Sequence, residues 1–173
     1  WAERIRAYLA THPKDTEDEI GWAMVKELSV AAAKMFIPAF EKYHGRNGRL
    51  SIQTDPRNWR NAQALADQAV EFSQLAPNVI VKIPVTAAGV VAIEDAVYRG
   101  VNINATVSFS TAQTIAVAEA IEREGASWVN LISPGTGHVQ DPVTHAEQLR
   151  RIGEQVERRV KTAWQKPRRV HFV

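Results

Sequence analysis

Strand-like segments begin near residues 49, 78, 101 and 127, and a stretch with helical spacing follows each of the first three. The starts lie 29, 23 and 26 residues apart. That interval holds one strand, one helix and two short turns. Strands separated by helices pair in parallel through right-handed crossovers. Two α/β architectures accept such a chain: an open doubly wound sheet and a (β/α)8 barrel. No strand leads into GxGxxG or GxxxxGK[ST], so the nucleotide-binding fingerprints are absent. A whole barrel takes about 250 residues. With 173 residues, the chain is expected to supply about four parallel strands, half of one.

The helices between these strands are expected at about 58–75, 87–99 and 111–124, with Gly100 as a C-terminal stop. Residues 1–48 read as a helical lead-in. "TEDE" at 16–19 is a capping box, in which Thr16 caps and Glu19 reaches back. Ile20, Met24, Leu28, Ala31, Met35 and Phe36 follow at helical spacing. Pro38 is expected to kink or end that helix, and "HGRNGR" at 44–49 to turn the chain. A last helix is expected from about Thr144 to Trp164. The whole, 1–173, reads as a single domain with a basic helix and tail over 141–173.

Composition removes several chemistries. There is no cysteine, which excludes disulfides, thiol catalysis, Fe–S clusters and Cys zinc sites. His12, His44, His138, His145 and His171 show no ligand spacing, so no metal is expected. No apolar run approaches the roughly 18 residues of a membrane span. Net charge is +2, divided as +4 over 141–173 and −2 over the rest. A basic tail can attract nucleic acid, but a solvated helix face is the expected reading. The opening "WAERIRAYLA" reads as helix, not signal peptide, and the start is expected to be missing or processed.

"NVIVKIPVTAAG" (78–89) sets one lysine in an apolar run. Val79, Val81, Ile83 and Val85 share one strand face; Ile80, Lys82 and Pro84 share the other. Lys82 either snorkels to water at a strand end or is kept as a nucleophile. In the second case an apolar wall would favour its neutral amine. The neighbouring strands bear on that choice. "NINATVSF" alternates Asn102, Asn104, Thr106 and Ser108 against Ile103, Ala105, Val107 and Phe109. "LSIQTDPR" alternates Ser51, Gln53 and Asp55. Three strands thus present polar faces around one lysine, a site constellation. Asn104-Ala105-Thr106 also matches a glycosylation sequon, which a buried strand would not present.

Three stretches carry a resemblance: "LSIQTDPR" at 50–57, "NVIVKIPVTAAGVVAI" at 78–93 and "RGVNINATVSFSTAQ" at 99–113. In this order they resemble the transaldolase family, Schiff-base enzymes of the aldolase type on a (β/α)8 barrel. The resemblance covers roughly residues 1–125. It implies that Lys82 forms the Schiff base, and that Asn104 and Thr106 hydrogen-bond substrate and hold a catalytic water. It implies transfer of a dihydroxyacetone unit between sugar phosphates in the pentose phosphate pathway, with no metal or organic cofactor, in the cytoplasm. Asp55 and Ser108 are then expected to line the substrate site.

The chain departs from that family at defined positions. Transaldolases carry a glutamate acid/base where Gln53 stands. Glutamine can orient a water but cannot take its proton. Related fructose 6-phosphate aldolase-like enzymes share the glutamine, so cleavage is the alternative to transfer. "LISPGTGH" at 131–138 is similar to a sixth-strand segment that carries a serine and a phosphate-binding arginine. Ser133 and His138 would be the equivalents. The family's first two strands would precede Trp1, and strands beyond the sixth are not matched. A barrel fragment with exposed strand edges is therefore expected, and such edges invite homo-oligomers.

Overall fold

The capping box forms as read. In the computed structural model, Glu19 N–H donates to the Thr16 hydroxyl at 3.3 Å, and Thr16 N–H donates to the Glu19 carboxylate at 2.7 Å. These bonds open α2 (Glu17–Lys42), which follows α1 (Ala2–Thr11). The structure describes residues 1–123, 128–131, 154 and 169–172. Pro38 does not end α2, which continues to Lys42. The turns beyond the proline are held by Tyr43 N–H to the Ala39 carbonyl and Gly45 N–H to the Phe40 carbonyl, at 3.0 and 2.8 Å.

Two compact units divide the chain. One is residues 1–50 with 74–79; the other is 51–73 with 80–173. Inside the first unit, Asn78 is fully buried. Its amide donates to the Ala33 and Gly48 carbonyls at 2.8 and 2.9 Å. Gly48 takes φ +74, and a Cβ there would overlap the backbone of Phe36 and Phe40. That turn therefore needs glycine for space as well as for conformation.

The strands are β1 (Leu50–Gln53), β2 (Val79–Pro84), β3 (Ile103–Thr106), β4 (Trp128–Leu131) and β5 (Arg169–Phe172). They form one sheet in the order β1-β2-β3-β4-β5. The pairs β2–β3, β3–β4 and β4–β5 are parallel. The first residues of β1 and β2 belong to the first unit and the remainder to the second. Helices α3 (Ala62–Ser73), α4 (Ala87–Tyr98) and α5 (Thr111–Arg123) connect successive strands. An open doubly wound sheet reverses its order at a switch point. This sheet does not reverse, and its order is that of part of a (β/α)8 wall.

β5 exceeds the four strands expected from the sequence. The alternation of Val170 and Phe172 with Arg169 and His171 is a strand pattern, overshadowed by the basic residues around it. The helix expected over 144–164 lies outside the described residues except at Glu154, which is helical. Among the described residues, no helix is long and apolar enough to cross a membrane.

One sheet face and three helices make the core of the second unit. Val81, Ile83, Ile103 and Ala105 are buried, as are Leu65, Ala69 and Phe72 of α3. Ala92, Ile93 and Ala96 of α4 and Val117, Ala120 and Ile121 of α5 complete it. The turn from β2 into α4 brings backbone close to backbone. Thr86 caps α4 by accepting from Gly89 N–H at 2.9 Å. A Cβ on Gly89 would overlap the Pro84 carbonyl oxygen. Alanine is favoured over glycine inside a helix by about 1 kcal/mol, but overlap with a backbone atom cannot be relieved by a rotamer change. Gly89→Ala is therefore expected to cost about 1–3 kcal/mol net, measured as a lower urea midpoint at unchanged slope.

Candidate active site

Lys82 lies near the C-terminal end of β2 and is half-buried. Val81 and Ile83, its neighbours in the strand, are buried completely. Among the described residues Lys82 has no ion-pair partner. The parallel register sets Lys82 opposite Asn104 and Pro84 opposite Thr106. Partners in register present their side chains to the same face. Lys82, Asn104 and Thr106 therefore share one face, as the alternation predicts.

β1 holds the peptide of Lys82 from the other side. The Lys82 carbonyl accepts from Thr54 N–H at 3.0 Å, the Thr54 hydroxyl at 3.1 Å and the Gln53 amide at 3.2 Å. Gln53 is thus adjacent to Lys82, with its Nε2 bonded to main chain. Asn104 is 6% exposed. Its amide donates to the Ser51 hydroxyl at 3.2 Å, while its Oδ1 is buried with no hydrogen-bond partner. Thr106 is also buried, and its carbonyl accepts from Val85 N–H at 2.8 Å, extending the ladder past the end of β2.

Two residues expected on this face do not join it. β1 ends at Gln53, and the alternation stops before Asp55. The Asp55 carboxylate accepts from Arg57 N–H at 2.9 Å and pairs with the Arg57 guanidinium at 2.6 Å, capping a 3-10 turn over Pro56–Asn58. β3 ends at Thr106, and Val107 takes φ +61. That left-handed residue reverses the alternation, so Ser108 goes to the buried side. Its hydroxyl is 3.0 Å from that of Thr114 on α5. Ser133 and His138 lie outside the described residues.

The backbone register extends this row beyond the residues singled out in the sequence. The Lys82–Asn104 row continues through Asn130 of β4 to His171 of β5 by backbone register. Asn130 sits in the middle of an apolar strand, a signal of the same kind as Lys82. Thr54 and Gln113 were also overlooked; both are polar residues beside a strand or helix end. Among the described residues, no three His, Cys, Asp or Glu gather as a metal site.

A lysine in a parallel strand at a barrel wall, with an Asn-x-Thr strand beside it, is the arrangement the resemblance requires. The family model for transaldolase/fructose-6-phosphate aldolase matches residues 2–170. The chain belongs to that family. The match extends past the limit near residue 125 read from the motifs, and takes in β4 and nearly all of the basic tail. "Transaldolase 1" of Streptomyces avermitilis is 36% identical over 107 residues, 58% of this chain and 28% of that protein. "Transaldolase" of Thiobacillus denitrificans is 36% identical over 94 residues, and that of Mycobacterium bovis is 34% identical over 92. The chain spans about a quarter of the length of these curated relatives.

Asp55 supports the strand end that carries Gln53 and Thr54. Asp55→Ala is expected to cost about 1–2 kcal/mol, the loss of a cap and of bonds to a charged acceptor. Chemical denaturation of the single variant checks it.

Proposed function

We propose that this chain carries the Schiff-base centre of a transaldolase-type enzyme acting on sugar phosphates, with Lys82 as the nucleophile. The observation that carries the reading is Lys82, without an ion-pair partner among the described residues, in register with a buried Asn104 whose Oδ1 has no hydrogen-bond partner. Family membership supports it. The unprotonated Lys82 amine adds to the ketose carbonyl, and loss of water gives an iminium. The C3–C4 bond then breaks: the C4 hydroxyl loses its proton, an aldehyde leaves, and the electron pair passes to the iminium as an enamine. Attack of the enamine on an acceptor aldehyde, followed by hydrolysis, completes transfer and returns Lys82. The pentose phosphate pathway and the cytoplasm are the setting this reading assigns.

In this reading Asn104 Oδ1, buried without a partner, accepts from a substrate hydroxyl. Thr106 holds the water through which protons move. Gln53 orients that water without ionising. Asp55 and Ser108 act in this reading by fixing the ends of β1 and β3, while Ser133 and His138 are proposed on the resemblance alone.

Gln53 favours one alternative. A site without a carboxylate at this position is suited to cleavage, in which the enamine is protonated and dihydroxyacetone is released. Product analysis with and without an acceptor aldehyde separates the two.

Borohydride reduction in the presence of fructose 6-phosphate is expected to add a reduced adduct to the peptide containing Lys82, read by mass spectrometry. An unlabelled Lys82 would defeat the reading. Thr106→Ala is expected to lower turnover by about 10²–10⁴-fold, the range for a proton-transfer group, while adduct formation survives.

A further inference from the structure

Gln113 closes the motif "NATVSFSTAQ", yet neither the sequence reading nor the proposed mechanism gives it a task. Its Oε1 accepts from Phe109 N–H at 2.9 Å, Ser110 N–H at 3.1 Å and the Ser110 hydroxyl at 3.2 Å. Its own N–H donates to the Ser110 hydroxyl at 3.2 Å. So far this is a capping box at the start of α5, and glutamate would serve as well. The other end of the amide does something a cap does not need. Nε2 donates to the Val85 carbonyl at 2.8 Å and reaches the Val107 carbonyl at 3.4 Å. Val85 follows the Lys82 strand, and Val107 follows Thr106.

These bonds meet at the one strained residue of the strand end. Val107 is β-branched and sits at φ +61, a conformation that persists only where its surroundings over-determine it. Its side chain is 44% exposed, so packing does not hold it there. Main-chain bonds do. Val85 N–H holds the Thr106 carbonyl at 2.8 Å, and Gln113 holds the carbonyls of Val85 and Val107. Release of Val107 would rotate the peptide that joins it to Thr106. We infer that Gln113 is a positioning residue, whose amide donor clamps Val85 and Val107 and thereby fixes Thr106 against the Lys82 strand. This deepens the Schiff-base reading and rests on it.

Gln113→Glu separates the clamp from the cap. The carboxylate keeps the capping box but cannot donate to the two carbonyls. Q113E is expected to melt close to the parent protein and to form the borohydride adduct at Lys82. Its turnover is expected to fall about 10²-fold, the cost of a misplacement near 1 Å, with KM changed far less. Val107→Gly in the Q113E background should recover turnover, because glycine takes positive φ without steric cost. Turnover of Q113E equal to the parent's, with the parent's adduct intact, would overturn the clamp alone. So would a parallel loss of turnover and melting temperature, or failure of glycine to rescue. Absence of the adduct in the parent would instead overturn the underlying reading, and the clamp with it.

Discussion

The register between β2 and β3 is the constraint on which the site depends. It sets Lys82 beside Asn104 and Pro84 beside Thr106. In a parallel pair a slip of one residue turns every side chain of a strand to the opposite face. Here the slip would turn Val81 and Ile83 onto the polar face of Asn104 and Thr106 and send Lys82 under the helices. The apolar face is nearly inaccessible: Val81, Ile83 and Ala105 have no exposed surface. Burying an unpaired ammonium in that layer costs several kcal/mol, and taking each branched side chain out of its close-packed layer forfeits the contacts it makes there. Both penalties act in the same direction. The residues to which the proposed chemistry is assigned are thus held in place by the core behind them.

Backbone carbonyls at the ends of the strands extend this control into the loops. Thr86, the cap of α4, donates to the Trp59 carbonyl at 2.8 Å, tying the loop after β1 to the loop after β2. Gln113 ties the loop after β2 to the loop after β3. Each tie uses a helix-capping side chain and a main-chain acceptor. The side chains of Trp59, Val107 and Phe109 are left exposed by this arrangement. Loop geometry is therefore tied to the capped helix starts, and these exposed side chains take no part in either tie.

Much of this was legible in the sequence, and the exceptions have physical causes. Strand and helix order followed from the repeat of polar faces and turn residues, and the capping box named the start of α2. The shared face of Lys82, Asn104 and Thr106 followed from period-two alternation. That rule works only while a strand remains a strand. Asp55 lies beyond the end of β1, where a 3-10 turn redirects it to Arg57. Ser108 lies beyond Val107, whose positive φ no propensity scale would assign to a β-branched residue. β5 was hidden because charge dominated the reading of the tail. Gln113 was visible as a motif residue, but its second role depends on Val85, 28 residues earlier, which local pattern cannot reveal.

Orphaned polar atoms do not by themselves mark a site, and two asparagines show why. Asn78 Oδ1 and Asn104 Oδ1 are both buried without partners. Leaving such an acceptor unpaired costs about 1–3 kcal/mol. For Asn78 the cost is offset on the other side of the amide, whose two donations hold the Ala33 and Gly48 carbonyls of the first unit. A structural task explains it. Asn104 has less to offset the same cost: its amide donates at 3.2 Å to the hydroxyl of Ser51, itself an exposed residue. An apolar side chain at that position would remove the penalty at the loss of about 1 kcal/mol. Stability alone therefore does not account for asparagine at 104. Its place in the row of Lys82 fits the proposed Schiff-base reading, in which a polar substrate group would meet an acceptor already desolvated.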